Sequence, residues 1–165
     1  MVVAGAGVVA VGVGAFVAYG SLGPTGTARQ QLTGWVQASQ FGQTVGTLEG
    51  DAARVTLAVA GGEDTGTIHT DCGVLLTDAQ SANGDLPTPN RQLTLTLSDA
   101  YTLEYEAGNN CYSGGATGRS LLAKSAGQRS DAHADLVRAV GLVEQVLGRR
   151  VATTTTEPGG GGIFG

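Results

Sequence analysis

Leu93-Thr94-Leu95-Thr96-Leu97-Ser98-Asp99-Ala100-Tyr101-Thr102-Leu103-Glu104-Tyr105-Glu106 has two readings, and the choice between them decides the fold. Taken by twos, leucine alternates with threonine from 93 to 97 and Tyr101 to Glu106 nearly alternates, as a β-hairpin turning at Ser98-Asp99-Ala100 would. Taken by threes and fours, Leu93, Leu97, Ala100, Leu103, Ala107 and Cys111 share one helical face. Propensity favours strand. A lone pair of short strands among helices would nevertheless be poorly covered. The local pattern leaves both readings open.

The flanking segments read as helices. From Thr27 to Val59 the apolar residues Leu32, Trp35, Ala38, Phe41, Val45, Leu48, Ala52, Val55 and Val59 recur at helical spacing, and Gly61-Gly62 ends the run. Gly34, Gly42, Gly46 and Gly50 each weaken a helix by about 1 kcal/mol relative to Ala, so this first helix needs tertiary packing to persist. Glu63 to Asn83 carries Ile68, Cys72, Leu75, Ala79 and Ala82 on one face, with Gly84 as the stop. Asp85-Leu86-Pro87-Thr88-Pro89 cannot continue that helix, and Thr88 with Pro89 is placed to cap a third. After the break at Ser113-Gly114-Gly115-Ala116, Thr117 is the expected cap of a last helix, marked by Leu122, Ala126, Arg129, His133, Leu136, Val140, Val143 and Leu147. Arg149 and Arg150 suit its C-terminal dipole. The tail from 152 to 165 has nothing to bury and is expected to be disordered.

No charged side chain precedes Arg29, and Val2 to Tyr19 is almost pure Val, Ala and Gly. A helix of this length spans roughly 27–30 Å, the thickness of a bilayer core, so residues 1–20 are expected to be a membrane anchor, followed by a linker at 21–26. Ala18-Tyr19-Gly20 before Ser21 also allows a cleaved signal, and a buried soluble helix is a third reading. The missing basic flank predicts a Lys/Arg-rich stub upstream of Met1. Ala6, Ala10, Gly14 and Ala18 form a small-residue stripe that would let another span pack closely. Val3 to Ala10 mimics a dinucleotide-binding glycine loop, but no polar helix follows and the first acid, Glu49, lies too far away to bind a ribose.

An exported chain with two cysteines, Cys72 and Cys111, reads as having one disulfide rather than a metal or redox site. It would close a loop of about 40 residues and stabilise the fold by roughly 4 kcal/mol. Residues 27–151 then form one small ectodomain. The net charge of −5 and scattered basic residues argue against nucleic acid. A single lysine, Lys124, amid abundant Ala, Gly, Val and Thr fits the codon bias of a GC-rich bacterium.

Candidate chemistry is sparse. His69 and Cys72 are spaced to meet on a helix, but a disulfide removes the thiolate that nucleophilic or metal chemistry needs. Zinc wants four ligands, and His133 is the only other imidazole. Ser130-Asp131-Ala132-His133 contains the residue types of a triad, yet neighbouring helical positions diverge and nothing builds an oxyanion hole. Glu63, Asp64, Asp71 and Asp78 put acid along the second helix, where a solvated face is the plain reading and cation bridging the sharper one. Trp35, Tyr101, Tyr105 and Tyr112 suit core or edge packing. No catalytic, cofactor or metal site is expected.

The order Thr70-Asp71-Cys72, Leu86-Pro87-Thr88-Pro89, Asn110-Cys111-Tyr112 and a closing amphipathic helix resembles small envelope-associated proteins of actinobacteria that carry an N-terminal span and a two-cysteine helical ectodomain. The resemblance covers about Trp35 to Leu147. It implies that Leu93 to Cys111 is helical and that the disulfide joins the second and third helices; it implies no activity. The resulting expectation is an all-α protein: a transmembrane helix, then an up-down bundle of about four helices. Its expected role is a non-enzymatic envelope module holding a protein or wall-polymer partner, with a small-ligand or cation binder as the alternative. A module should have a featureless solid interior and an exposed apolar or aromatic patch, whereas a binder should have one enclosed pocket with a few converging polar groups.

Overall fold

A computed structural model describes residues 26–153, and these form helices α1 (Ala28–Ala38), α2 (Phe41–Gly61), α3 (Thr65–Asn83), α4 (Arg91–Gly114) and α5 (Arg119–Leu147). No described residue is in a strand. The expected anchor, its stripe of Ala6, Ala10, Gly14 and Ala18, and the tail beyond Thr153 lie outside the described residues. Among the described residues, no helix is long and apolar enough to cross a membrane.

The ambiguous segment is helical. Leu93, Leu97, Ala100, Tyr101, Ala107 and Cys111 are buried along one face of α4, while Leu95, which strand pairing would have made equivalent to its neighbours, is exposed. Burial at helical spacing outweighs the β propensity of the threonines.

Cross-helix contacts fix the topology. Cys72 bonds to Cys111 while Gly108 abuts Leu76, so α3 and α4 run antiparallel. Ser125 meets Ala107 and Gln128 meets Glu106, which sets α5 antiparallel to α4. His133 pairs with Glu49 and Arg129 reaches Thr56, so α5 returns antiparallel along α2. α2 to α5 are therefore an up-down four-helix bundle closed on itself. α1 lies across the end where α2 begins and α3 and α5 finish. Its Trp35 Nε1 donates to the Asp85 carbonyl at 3.0 Å, Arg29 donates to the Leu147 carbonyl, and Trp35 packs on Phe41.

Several local expectations need correction. The predicted first helix is two helices, because Gln40 adopts φ 49° and turns the chain between α1 and α2. Thr27 caps α1 in a reciprocal box with Gln30. α4 is capped by Asn90, which accepts from the Leu93 amide, whereas Thr88 is buried and bonds to Thr94 and the Asn90 carbonyl. Thr117 does not cap α5, whose first-turn amides begin after Gly118. Along α5 the inward face is Ser125, Gln128, Arg129, Ala132, Leu136, Ala139, Val143 and Leu147, so the expected Ala126 and His133 point outward instead. Gly62 ends α2 in the left-handed region, as the sequence requires.

Val151 extends the packed unit: its amide donates to Glu144 Oε1 at 2.9 Å and its side chain lies against the core. The next residue, Ala152, passes so close to α2 that a side chain at Gly42 would collide with its carbonyl. At least one glycine that looks like a helix weakness in sequence is therefore a contact point.

Candidate functional site

Cys72 and Cys111 are disulfide-bonded with Cα atoms 5.7 Å apart, as the sequence implied, and both are fully buried. Described residues include no free cysteine. His69, one turn before Cys72, is therefore not a base for a thiolate; its ring stacks on Tyr112, next to Cys111, at 4.4 Å between centroids. The linked helices thus carry an aromatic pair directly outside the disulfide.

Tyr105 lies two turns before Tyr112 on the same side of α4. Both tyrosines remain substantially exposed, 42% and 49% respectively, so of the core or edge packing expected of the aromatics they take the edge. Between Tyr105 and α3 is a shallow hollow of about 230 Å³ lined by Ala79, Gln80, Asn83, Tyr101 and Thr102. Gln80 and Asn83 thus set amide groups beside the Tyr105 ring on the α3–α4 face. Of the other aromatics singled out in the sequence, Tyr101 is buried and Trp35 is half-buried against Phe41.

The triad residue types do not assemble. His133 Nδ1 lies 2.7 Å from Glu49 Oε1 on α2, whereas Ser130 and Asp131 are exposed on α5. Among the described residues no three Cys, His, Asp or Glu side chains converge as a metal site, which leaves the acids of α3 without a cation cage. They are not all freely solvated either. Asp64 caps α3, accepting from the amides of Gly66 and Thr67, and these bonds hold its carboxyl below the usual range. Asp71 and Asp78 are half-buried and face Asp51 of α2.

Asp51 is the first of two buried acids that the apolar spacing did not reveal. It is 2% exposed; its Oδ1 accepts from Arg54, and its Oδ2 has no donor. Burial, followed by the adjacent Asp78 carboxyl within hydrogen-bonding reach, pushes Asp51 up to about 7 against the opposing pull of Arg54. Glu104 is the second. It is 1% exposed among the four bundle helices and its Oε2 is unpartnered; burial, then the Glu49 charge, pushes it up to about 8.

Nearby Arg129 donates to Ser125 Oγ at 2.7 Å, and Ser125 donates in turn to the Ala107 carbonyl at 2.8 Å. Gln128 completes a polar seam between α4 and α5, donating to Glu106 and accepting from Asn110. Glu104 sits one position from Leu103 and three from Ala107, so a small rotation of the α4 face exchanges the leucine for the acid.

The chain matches no protein family, no curated sequence and no solved structure.

Proposed function

We propose that this protein is a non-enzymatic interaction module of a bacterial cell envelope, tethered by its apolar N-terminal segment and presenting the α3–α4 face to a protein or wall-polymer partner. The observation that carries the reading is the exposed aromatic strip of Tyr105 and Tyr112, with Tyr112 braced on His69 beside the buried disulfide. Tyrosine supplies a large rigid contact surface and a hydroxyl at little entropic cost, which makes it a characteristic interface residue. The disulfide holds the two helices that carry the strip in fixed register, so the surface is preorganised. Tethering agrees with the uncharged run before Arg29, and an extracytoplasmic location agrees with the cystine.

The test is photo-crosslinking from position 109, which lies between the two tyrosines on α4, in intact membranes. A discrete adduct that Tyr105→Ser with Tyr112→Ser abolishes, and that Val137→Ser on the exposed side of α5 leaves intact, supports the reading. An adduct pattern indifferent to the tyrosines overturns it.

A further inference from the structure

We propose that the chain beyond Thr153 folds back over the bundle and seats Ile163 and Phe164 in the apolar groove between α2 and α5. The groove lies across the ring of helices from the α3–α4 face, and neither assignment depends on the other. In that ring α2 and α5 approach each other least closely of the neighbouring pairs, and their seam is left as a hollow of about 320 Å³. Val45 of α2 and Leu136, Val137 and Val140 of α5 line it with aliphatic side chains, while Gly46 leaves bare helix against which a ring can pack. The paired Glu49 and His133 side chains also line it. Val137 is 57% exposed, so the groove presents apolar surface to its surroundings.

The path of the chain after α5 selects the occupant. Gly148 turns the backbone at the end of α5, Val151 packs against the core, and the Ala152 carbonyl lies on Gly42 of α2. Thr153 then lines the hollow itself, together with Val45 and Gly46, one turn further along α2. At Thr153 the chain is therefore running up the α2–α5 seam, away from the end that α1 crosses. That heading favours the groove over a membrane held through the segment that precedes α1.

Composition and reach fit the same occupant. Thr154 to Pro158 and the glycines from 159 to 162 offer little to bury, whereas Ile163 and Phe164 are the only large apolar side chains after Val151. Ile163 follows Thr153 by ten residues, and a linker of that length spans about 17 Å root-mean-square. The groove wall from Val140 to His133 is seven residues of α5, about 10 Å at the helical rise. The dipeptide thus reaches the whole hollow without stretching the linker. Tethering holds it there at an effective concentration of about millimolar, so a weak apolar contact is enough to fill the groove. A second copy of the chain offers the same dipeptide only at its solution concentration.

The test places the photoreactive analogue benzoylphenylalanine at position 164 of the full chain, in mild detergent and in membranes. Irradiation is expected to give an adduct within one chain, mapped by mass spectrometry to the α2 or α5 peptides that carry Val45, Val137 or Val140, with a yield independent of protein concentration. Val137→Asp puts a charge on the exposed rim of the groove and should cut that yield at least about fivefold. Leu57→Asp, also exposed but on α2 outside the groove, should leave it unchanged. Ile163→Ser changes only the docking segment and should lower the yield too, so the outcome does not hang on how Val137→Asp folds. Adducts to detergent or lipid, adducts between copies that grow with concentration, adducts scattered over the bundle, or a yield indifferent to both Val137→Asp and Ile163→Ser would each overturn the assignment.

Discussion

Gly108 of α4 rests directly on the backbone of Leu76 in α3: a Cβ at Gly108 would lie 2.9 Å from the Leu76 amide nitrogen and 2.9 Å from the Cys72 carbonyl oxygen. The contact is backbone to backbone, so no side-chain rotation relieves it, and it lies one turn from Cys111. The helices can approach closely enough for the disulfide only because position 108 is bare. Gly108→Ala is expected to lower stability by about 1–3 kcal/mol, the cost of overpacking. Gly127→Ala, at a helical position with nothing nearby, should raise it by about 0.5–1 kcal/mol. Urea midpoints of the two variants should move in opposite directions.

The disulfide is expected to be structural and inaccessible. Both cysteines are fully buried, and they close a loop with a sequence separation of 39. Replacing both with alanine should cost about 4 kcal/mol on the chain-entropy account. The native protein should show no reactive thiol after treatment with a mild reductant, and should become reducible in moderate urea. Equal rates of reduction with and without urea would mean that the bond is solvent-accessible.

Gln40 marks the point where the sequence was least informative. Apolar spacing runs without interruption from Leu32 through Val59, so nothing in the period announces that α1 ends at Ala38 and α2 starts at Phe41. The turn puts a non-glycine residue in the left-handed region, which costs about 1 kcal/mol. Gln40→Gly is therefore expected to stabilise the protein by roughly that amount, measured as a raised urea midpoint. A lowered midpoint would show that the Gln40 side chain contributes more than its backbone strain costs.

What was legible follows the same physics. Apolar residues at helical spacing located α3 and α5 because burial is insensitive to a residue or two of phase, and Gly62 and Gly84 ended helices where expected. Caps were less legible: Thr88 and Thr117 have the right side chains, but Asn90 and Gly118 occupy the positions where the backbone turns. The resemblance, not the residue pattern, favoured helix over hairpin in α4; only its neighbours bury Leu93 and Leu97 together. Asp51 and Glu104 were hidden because a charged residue on an apolar face reads as a gap in the stripe. The cross-helix neighbours that make such a gap a polar site become visible only when the helices are packed.

Those two acids make the stability of this protein depend on pH. Glu104 is held neutral in the folded bundle up to about 8, from an ordinary value of 4.5, and Asp51 up to about 7, from 3.8. Both folded values are raised, so the folded chain retains protons that the unfolded chain releases. Their effect on stability is most favourable below the ordinary values and is lost progressively as pH rises, levelling off above about 8. The hydrogen-bonded Asp64 acts in the opposite sense, and only at acid pH below its ordinary value of 3.8. Between about pH 5 and about pH 8 the urea midpoint is therefore expected to fall. Glu104→Gln, which keeps the shape and removes the charge, should be nearly neutral at the acid end. At about pH 9 it should be more stable than the parent by on the order of 2 kcal/mol, flattening the upper part of the slope. A midpoint that rises over the same range, or a slope that Glu104→Gln leaves unchanged, would show that Glu104 is ionised in the folded bundle at neutral pH. Arg129, whose positive charge already acts on Glu104, would then be the group to test as its counter-charge.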